Sequence, residues 1–355
     1  MIHRSKIPAT LKDVAAAAGV SISCASVILN GTKSGTRVSE RTRNTVIQHA
    51  EILGYRPNAI GRSLQRRRTQ VFGFISMVFT LDAGNEFLAD LIGGMQEACR
   101  ELDHALLLYS LQEDAGVDEW LRKLTDGYVD GLVVFGKVEH PVARALMGAH
   151  LPLVAIADPI GNMPCVRVDD WEGGERLAAE LAALGYTHAL YRLPTRPSIS
   201  VEDRVTSFIA ASSRLGIEVT LGSRVHADTG VDFTPAEQRW LEINGGPRSV
   251  VAVWEDHTAI PTVAILRDMG FRVPEDIGVV GFNGNAFGPW VPSLTTIKAP
   301  WRKVARESVH MLLRQIEGLP IESTNVLPVH FVSGSTTCRA FDSIHSAPSP
   351  SFATQ

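Results

Sequence analysis

Cysteine is scarce in this 355-residue chain, and Cys24, Cys99, Cys165 and Cys338 stand far apart. That spacing builds neither a disulfide framework nor a tetrahedral metal site, so reduced thiols are expected. Long apolar runs are missing too: none approaches the ~20 residues of a membrane span, and no membrane partner is expected. Met1-Ile2-His3-Arg4-Ser5-Lys6 leads into no apolar signal core, which predicts a cytoplasmic chain rather than an exported one. Neither a Gly-x-Ser-x-Gly elbow nor a Gly-x-Gly-x-x-Gly fingerprint occurs. His49, His188 and His257 are isolated and fit no metal-ligand spacing. No cofactor, no metal and no enzyme activity are therefore predicted.

Charge is present but unevenly spread. The net charge of −4 conceals a basic head: residues 1–70 carry 12 Lys and Arg against Asp13, Glu40 and Glu51 alone. The rest holds 22 Lys and Arg against 35 Asp and Glu. A basic fifth on an acidic body points to a polyanion partner for that fifth, and nucleic acid is the polyanion that fits.

Residues 10–54 read as three short helices. Thr10 and Asp13 have capping-box spacing ahead of an apolar stripe of Leu11, Val14, Ala15 and Ala18, and Gly19 ends the helix. Ser21 caps a second helix with Ala25, Ile28 and Leu29 inward, followed by a loop over 30–35. Ser39 caps a third, with Val46, Ile47, Ala50 and Leu53 inward, closed by Gly54. Two helices joined by a tight turn and packed on a third make a helix-turn-helix arrangement. A basic connector follows over 55–70, in which Gly61 weakens any helix by about 1 kcal/mol relative to alanine.

From Val71 the pattern alternates between strand and helix. Strand-like runs lie at 71–78, 105–109, 131–135, 153–157, 188–193, 250–254 and 277–282, with helical patterns at 87–102, 172–184 and 258–269 among those between. Such alternation predicts parallel sheets with helices on both faces. Its length exceeds one comfortable core, so two α/β lobes are expected. The Ser/Pro-rich end, 341–355, is expected to be disordered.

In the second helix, Ile22, Ser23, Ser26, Val27 and Asn30 face away from the apolar side, and Ile22 and Val27 suit thymine methyls in a major groove. The run Thr10-Leu11-Lys12-Asp13-Val14-Ala15 through Leu29-Asn30-Gly31, followed by Gly54-Tyr55-Arg56-Pro57-Asn58 and Arg62-Ser63-Leu64, resembles the lactose-repressor (LacI/GalR) family of bacterial transcription regulators. The resemblance continues through Asp130-Gly131-Leu132, Leu184-Gly185-Tyr186, Val273–Phe282 and Pro292–Ile297 to about residue 338.

That resemblance implies an α/β protein with an N-terminal three-helix helix-turn-helix DNA-binding domain (1–56) and a hinge helix and linker (57–70). A two-lobed periplasmic-binding-protein-like effector and dimerisation domain (71–340) follows. Its first lobe is expected over about 71–160 and 291–325, its second over about 161–290 and 326–340. The implied function is a sequence-specific DNA-binding regulator, predicted to be a repressor. It would act as a homodimer or tetramer on a palindromic double-stranded DNA operator and respond to a sugar or related small-molecule effector. A sugar-binding protein of a transport system shares the lobes but has no use for residues 1–70.

By motif matching, Ile22, Ser23 and Val27 take base-reading positions, and Cys24 and Ser26 take positions that contact phosphate. Leu64 matches a leucine wedged into the minor groove. Thr10, Ser21, Asn30, Asn58 and Arg62 complete the DNA-binding set. Val27 in place of a polar residue and Cys24 in place of threonine predict a non-standard operator sequence, or more reliance on shape and phosphate contacts. For the effector, Arg204, Asp256 and Asn283 match cleft positions, and Phe87, Trp171 and Asp158 are candidate cleft residues. Glu255 and Pro261 alter the pocket's edge relative to the family, so no particular ligand is carried over.

Overall fold

The Thr10 hydroxyl accepts from the Asp13 amide at 3.4 Å while the Asp13 carboxylate accepts from the Thr10 amide at 2.8 Å, a reciprocal cap that starts helix α1, Leu11–Ala17. Gly19, at φ 65°, turns the chain sharply into α2, Ile22–Asn30, where the Ser21 hydroxyl accepts from the Cys24 amide at 3.1 Å. The chain bends by 107° between these two helices, and both pack on α3, Glu40–Ile52. Val14, Ala15, Ala25, Ile28, Val46 and Ala50 form the buried core of this module. Two inward expectations fail: Ile47 and Leu53 are each 39% exposed, because so small a core is already closed by Val46 and Ala50.

The structure, a computed structural model, describes residues 9–30, 38–56, 68–78, 85–111, 116–195, 198–225, 232–285, 288 and 291–340. The chain divides into two compact units, Met1–Gln70 and Val71–Gln355. The hinge, with Asn58, Arg62 and Leu64, and the tail 341–355 lie outside the described residues.

The second unit carries two six-stranded sheets. The first is built from β1 Val71–Ser76, β2 Ala105–Ser110, β3 Gly131–Phe135, β4 Leu153–Ile156, β5 Cys165–Val168 and β11 Thr324–Leu327, in the order β11-β5-β4-β3-β1-β2 and all parallel. Helices α4 Glu86–Glu101, α5 Val117–Leu124 and α6 Pro141–Met147 connect the strands of this lobe. The second sheet contains β6 His188–Pro194, β7 Glu218–Val225, β8 Ser249–Val253, β9 Gly278–Asn283, β10 Thr295–Lys298 and β12 His330–Val332, in the order β12-β10-β9-β8-β6-β7 with β12 antiparallel. Its helices are α7 Asp170–Ala183, α8 Ile199–Leu215, α9 Pro235–Asn244 and α10 Asp256–Asp268. Helix α11, Trp301–Ile316, returns to the first lobe and packs on α4, where Arg302 pairs with Asp90 and Glu97. The central strands β3, β4, β8 and β9 are buried on both faces, as parallel strands between helix layers must be.

Two lobe boundaries differ from the sequence expectation. Strand β5 joins the first sheet rather than opening the second lobe, and β10 pairs with β9 in the second sheet rather than beginning the return to the first. The physical reason is register: Ala155 aligns with Cys165 across β4–β5, and Thr295 with Val280 across β9–β10, pairings that no local pattern encodes.

Candidate functional site: a nucleic-acid-reading helix and an interlobe cleft

In the first unit the outward face of α2 is open. Ile22 is 50% exposed and Ser23 is exposed, while Cys24, Ser26 and Val27 are half-buried. Burying Ala25 and Ile28 fixes the helix rotation and so turns Ile22 and Ser23 outward. Thr10 and Ser21 spend their hydroxyls on helix caps. The side chain of Asn30 lies outside the described residues.

In the second unit the site forms where the carboxyl ends of both sets of strands face each other, the position at which open α/β sheets bind ligands. Asp158, just beyond β4, is buried, and its Oδ1 accepts from the Ser200 amide in the first turn of α8 at 2.8 Å. A first-lobe carboxylate thus satisfies an amide of a second-lobe helix and lies at the positive end of that helix dipole. Beside it, Arg167 Nη2 donates to Asp203 Oδ2 at 2.7 Å, again from one lobe to the other. A cavity of about 110 Å³ opens here, lined by Lys137, Glu139 and Asp158 from one lobe and Ser198, Ile199 and Glu202 from the other.

Deeper in, Arg204 of α8 donates from Nε to Asp170 Oδ1 at 2.6 Å and from Nη1 to the Trp254 carbonyl at 3.0 Å. Its guanidinium lies 3.6 Å from the centre of the Phe282 ring. The helices can cross this closely because Gly174 has no side chain: a Cβ there would collide with the Ser207 hydroxyl and the Arg204 carbonyl. Burial pushes Asp170 up to about 6 despite the Arg204 charge that opposes it. Glu255, which ends the β8 loop and accepts from Thr258 Oγ1 at 3.1 Å, is likewise raised by burial.

Asp256 is wholly enclosed. Its Oδ1 accepts from the Thr296 hydroxyl at 2.7 Å, and its Oδ2 accepts from the Gly284 and Asn285 amides at 2.7 and 2.8 Å. Burial outweighs these donors and pushes its carboxyl up to about 7. The segment it holds begins at Asn283, whose φ of 117° is strained for a residue with a side chain.

Residues 10–58 match the model described as bacterial regulatory proteins, lacI family, and residues 178–337 match the periplasmic binding protein-like domain. The chain belongs to the lacI family of bacterial regulatory proteins. It is 27% identical over 331 residues to the HTH-type transcriptional regulator RegA of Clostridium saccharobutylicum, covering 90% of this chain and 96% of that protein. It is 28% identical to the HTH-type transcriptional repressor PurR of Aliivibrio fischeri strain MJ11, covering 87% and 92%. Among solved structures it is similar in fold to the lac repressor dimer bound to operator and the anti-inducer ONPF. That match has TM-score 0.75 and 23% identity, over 94% of this chain and 100% of the other. The CelR–cellobiose complex matches with TM-score 0.64 and 24% identity, over 92% and 99%.

This LacI-family chain is thus a DNA-binding transcriptional regulator with a ligand-binding effector region, and the relatives named are regulators rather than enzymes. Of the candidate effector residues, Asp158 lines the cavity, whereas Arg204, Asp256 and Asn283 are buried and do not line it, and neither do the two candidate aromatic walls. Trp171 is 45% exposed, turned outward by the rotation of α7 that buries Asp170 and Gly174. Phe87 packs edge-on against Trp301 at 4.7 Å and tilts against Phe135 at 5.4 Å, so its ring is engaged with the first-lobe core. Asp170, Glu202, Lys137 and Glu139 were missed by sequence reasoning. Asp170 had a usable signal, since it follows the capping Asp169 at the start of an apolar helix, whereas the others had none.

Proposed function

We propose that this regulator is a repressor that acts as a homodimer or tetramer on a palindromic operator, and that a small molecule, a sugar or related metabolite, modulates it from the interlobe cleft. The observation that carries the effector part is the pair of lobe-to-lobe bonds beside a cavity, Asp158 to Ser200 and Arg167 to Asp203. A molecule entering there must break or complete bonds that define how the lobes meet, so it binds the two lobe arrangements with different affinity. That difference is the physical requirement for a ligand to shift a conformational equilibrium. Operator reading is assigned to Ile22, Ser23 and Val27 for bases and to Cys24, Ser26, Thr10, Ser21, Asn30, Asn58 and Arg62 for phosphates and positioning, with Leu64 as the minor-groove wedge. Residues 1–56, 57–70 and 71–340 are taken as headpiece, hinge and effector domain. The protein is proposed to work in the cytoplasm without catalysing a reaction.

The test is a fluorescence-anisotropy titration of the full chain against operator fragments selected from random DNA, repeated over a range of salt and with Leu64→Ala. Specific binding that falls steeply with salt, and that Leu64→Ala weakens far more than non-specific binding, supports the reading. Equal binding of the full chain to selected and random DNA refutes it.

A further inference from the structure

A strained residue stands where the lobes touch. Ala157, directly before Asp158, adopts a φ of 70°, a left-handed conformation that a residue with a side chain disfavours. The Asp158 amide donates to the Ile156 carbonyl at 2.9 Å and closes a γ-turn around Ala157. With positive φ this is the rare, strained form of that turn. Nor is it a loose loop, since Ala157 is buried and its own amide donates to the Val166 carbonyl at 2.9 Å. Strain of this kind persists only where surrounding bonds hold it in place.

The bond that holds it comes from the other lobe. Ser198 occupies the N-cap of α8 but makes no capping bond, and its hydroxyl lies 2.8 Å from the Ser200 hydroxyl. Asp158 Oδ1 accepts from the Ser200 amide instead, so the start of α8 is capped across the cleft. That single bond offsets two local costs, a strained turn in the first lobe and an uncapped helix start in the second. Three residues along the same face of α8, Asp203 pairs with Arg167 of β5 at 2.7 Å. Both ties are made of the chain's own groups and end on one short stretch of helix. A movement that parts the lobes must load them together.

We propose that Ala157 and Asp158 form a sprung latch between the lobes. The γ-turn presents the Asp158 carboxylate to α8, closure through Ser200 and Asp203 keeps the turn strained, and release lets it relax. Ala157 is thus a positioning residue that acts through Asp158. Because Asp158 also lines the cavity, a molecule bound there meets the latch directly. That last step rests on the effector reading above, whereas the latch itself does not.

The Ser200 amide reports the state of the latch, because it is one of the first N–H groups of α8 and has no partner within the helix. Hydrogen exchange of the full-length protein is followed in peptides covering 198–204, in variants that leave both Asp158 and Ser200 in place. Glycine adopts positive φ without strain, and the strain of one residue corresponds to a factor of about 5–30 in an equilibrium. Allowing for the added freedom of glycine in the released state, Ala157→Gly should slow Ser200 exchange about threefold or more. Arg167→Met, in the lobe opposite Ser200, should speed it about tenfold by removing the second tie. Asp203→Asn, at the partly exposed end of the same pair, should act likewise and serves if circular dichroism shows that Arg167→Met does not fold. Exchange that Ala157→Gly leaves unchanged or accelerates overturns the proposal, as does exchange within about twofold of wild type in the folded variants of the Arg167–Asp203 pair. Operator affinity of the same variants separates the two readings, since tightening and loosening the latch should move it in opposite directions. Shifted exchange with constant operator affinity keeps the latch and sinks the effector reading. Shifted operator affinity with constant exchange does the reverse.

Discussion

Replacing Asp256 with alanine should unfold the second lobe at a markedly lower temperature rather than merely deafen it to an effector. The carboxylate is buried and accepts three hydrogen bonds, from the Thr296 hydroxyl and from the Gly284 and Asn285 amides. Alanine removes all three acceptor sites at once. Each stranded donor costs about 1–3 kcal/mol, and the three share one neighbourhood, so their losses combine to about 3–5 kcal/mol rather than adding in full. For a unit of this size 1 kcal/mol moves Tm by roughly 2–4 °C, which predicts a fall of about 6–20 °C. Asp256→Asn keeps one carbonyl oxygen for the two amides, and the Thr296 hydroxyl can rotate to accept from the new amide. Its cost should be near 1 kcal/mol. Differential scanning calorimetry of the full-length protein reads both variants, with circular dichroism to confirm that the headpiece stays folded. If Asp256→Ala melts within about 2 °C of wild type, the three bonds do not hold the segment after β9 in place, and Asp256 is free to serve as a ligand contact.

The three raised carboxyls give the effector unit a pH dependence. Asp170, Glu255 and Asp256 bind protons more tightly folded than unfolded, so stability is greatest below the ordinary carboxylate range and is lost as pH rises through about 6 and about 7. Melting curves across that window should show a declining Tm, and Glu255→Gln should flatten the slope; a Tm that climbs through the window contradicts the assignment. Glu237→Ala removes the counter-charge 3.2 Å from the wholly buried guanidinium of Arg192, which keeps its bonds to the Thr262 hydroxyl and the Asp232 carbonyl, and should cost about 3–5 kcal/mol in urea unfolding, whereas a cost below about 1 kcal/mol would mean the pair is dispensable. Ser39→Ala removes the hydroxyl that accepts from the Thr42 amide at the start of α3 and should destabilise the headpiece by about 1 kcal/mol, read as earlier loss of helix on heating. Ile22→Ala should weaken operator binding about tenfold with little change in headpiece stability, since its side chain is half exposed; unchanged affinity would remove it from the reading face.

The sequence by itself determined what is local or compositional. Caps at Thr10, Ser21 and Ser39 act within three residues, so the starts of α1, α2 and α3 were legible from residue type and spacing. Alternation of apolar runs with helical stripes sufficed for a parallel α/β unit, and the basic head sufficed for a polyanion partner. The short strands β5, β10, β11 and β12 were not legible, because three or four residues cannot display a period and their place is set by partners far along the chain. Tertiary structure alone decided the cleft. Asp158 meets Ser200 across 42 positions, Arg204 meets Asp170 across 34, and Thr296 meets Asp256 across 40. Matching motifs put Arg204 and Asp256 on equal terms as ligand contacts, yet packing gave Arg204 to Asp170 and enclosed Asp256 under the β9 loop. A side chain's chemistry is fixed by its residue type, but its free valences depend on what the fold has already bonded to it.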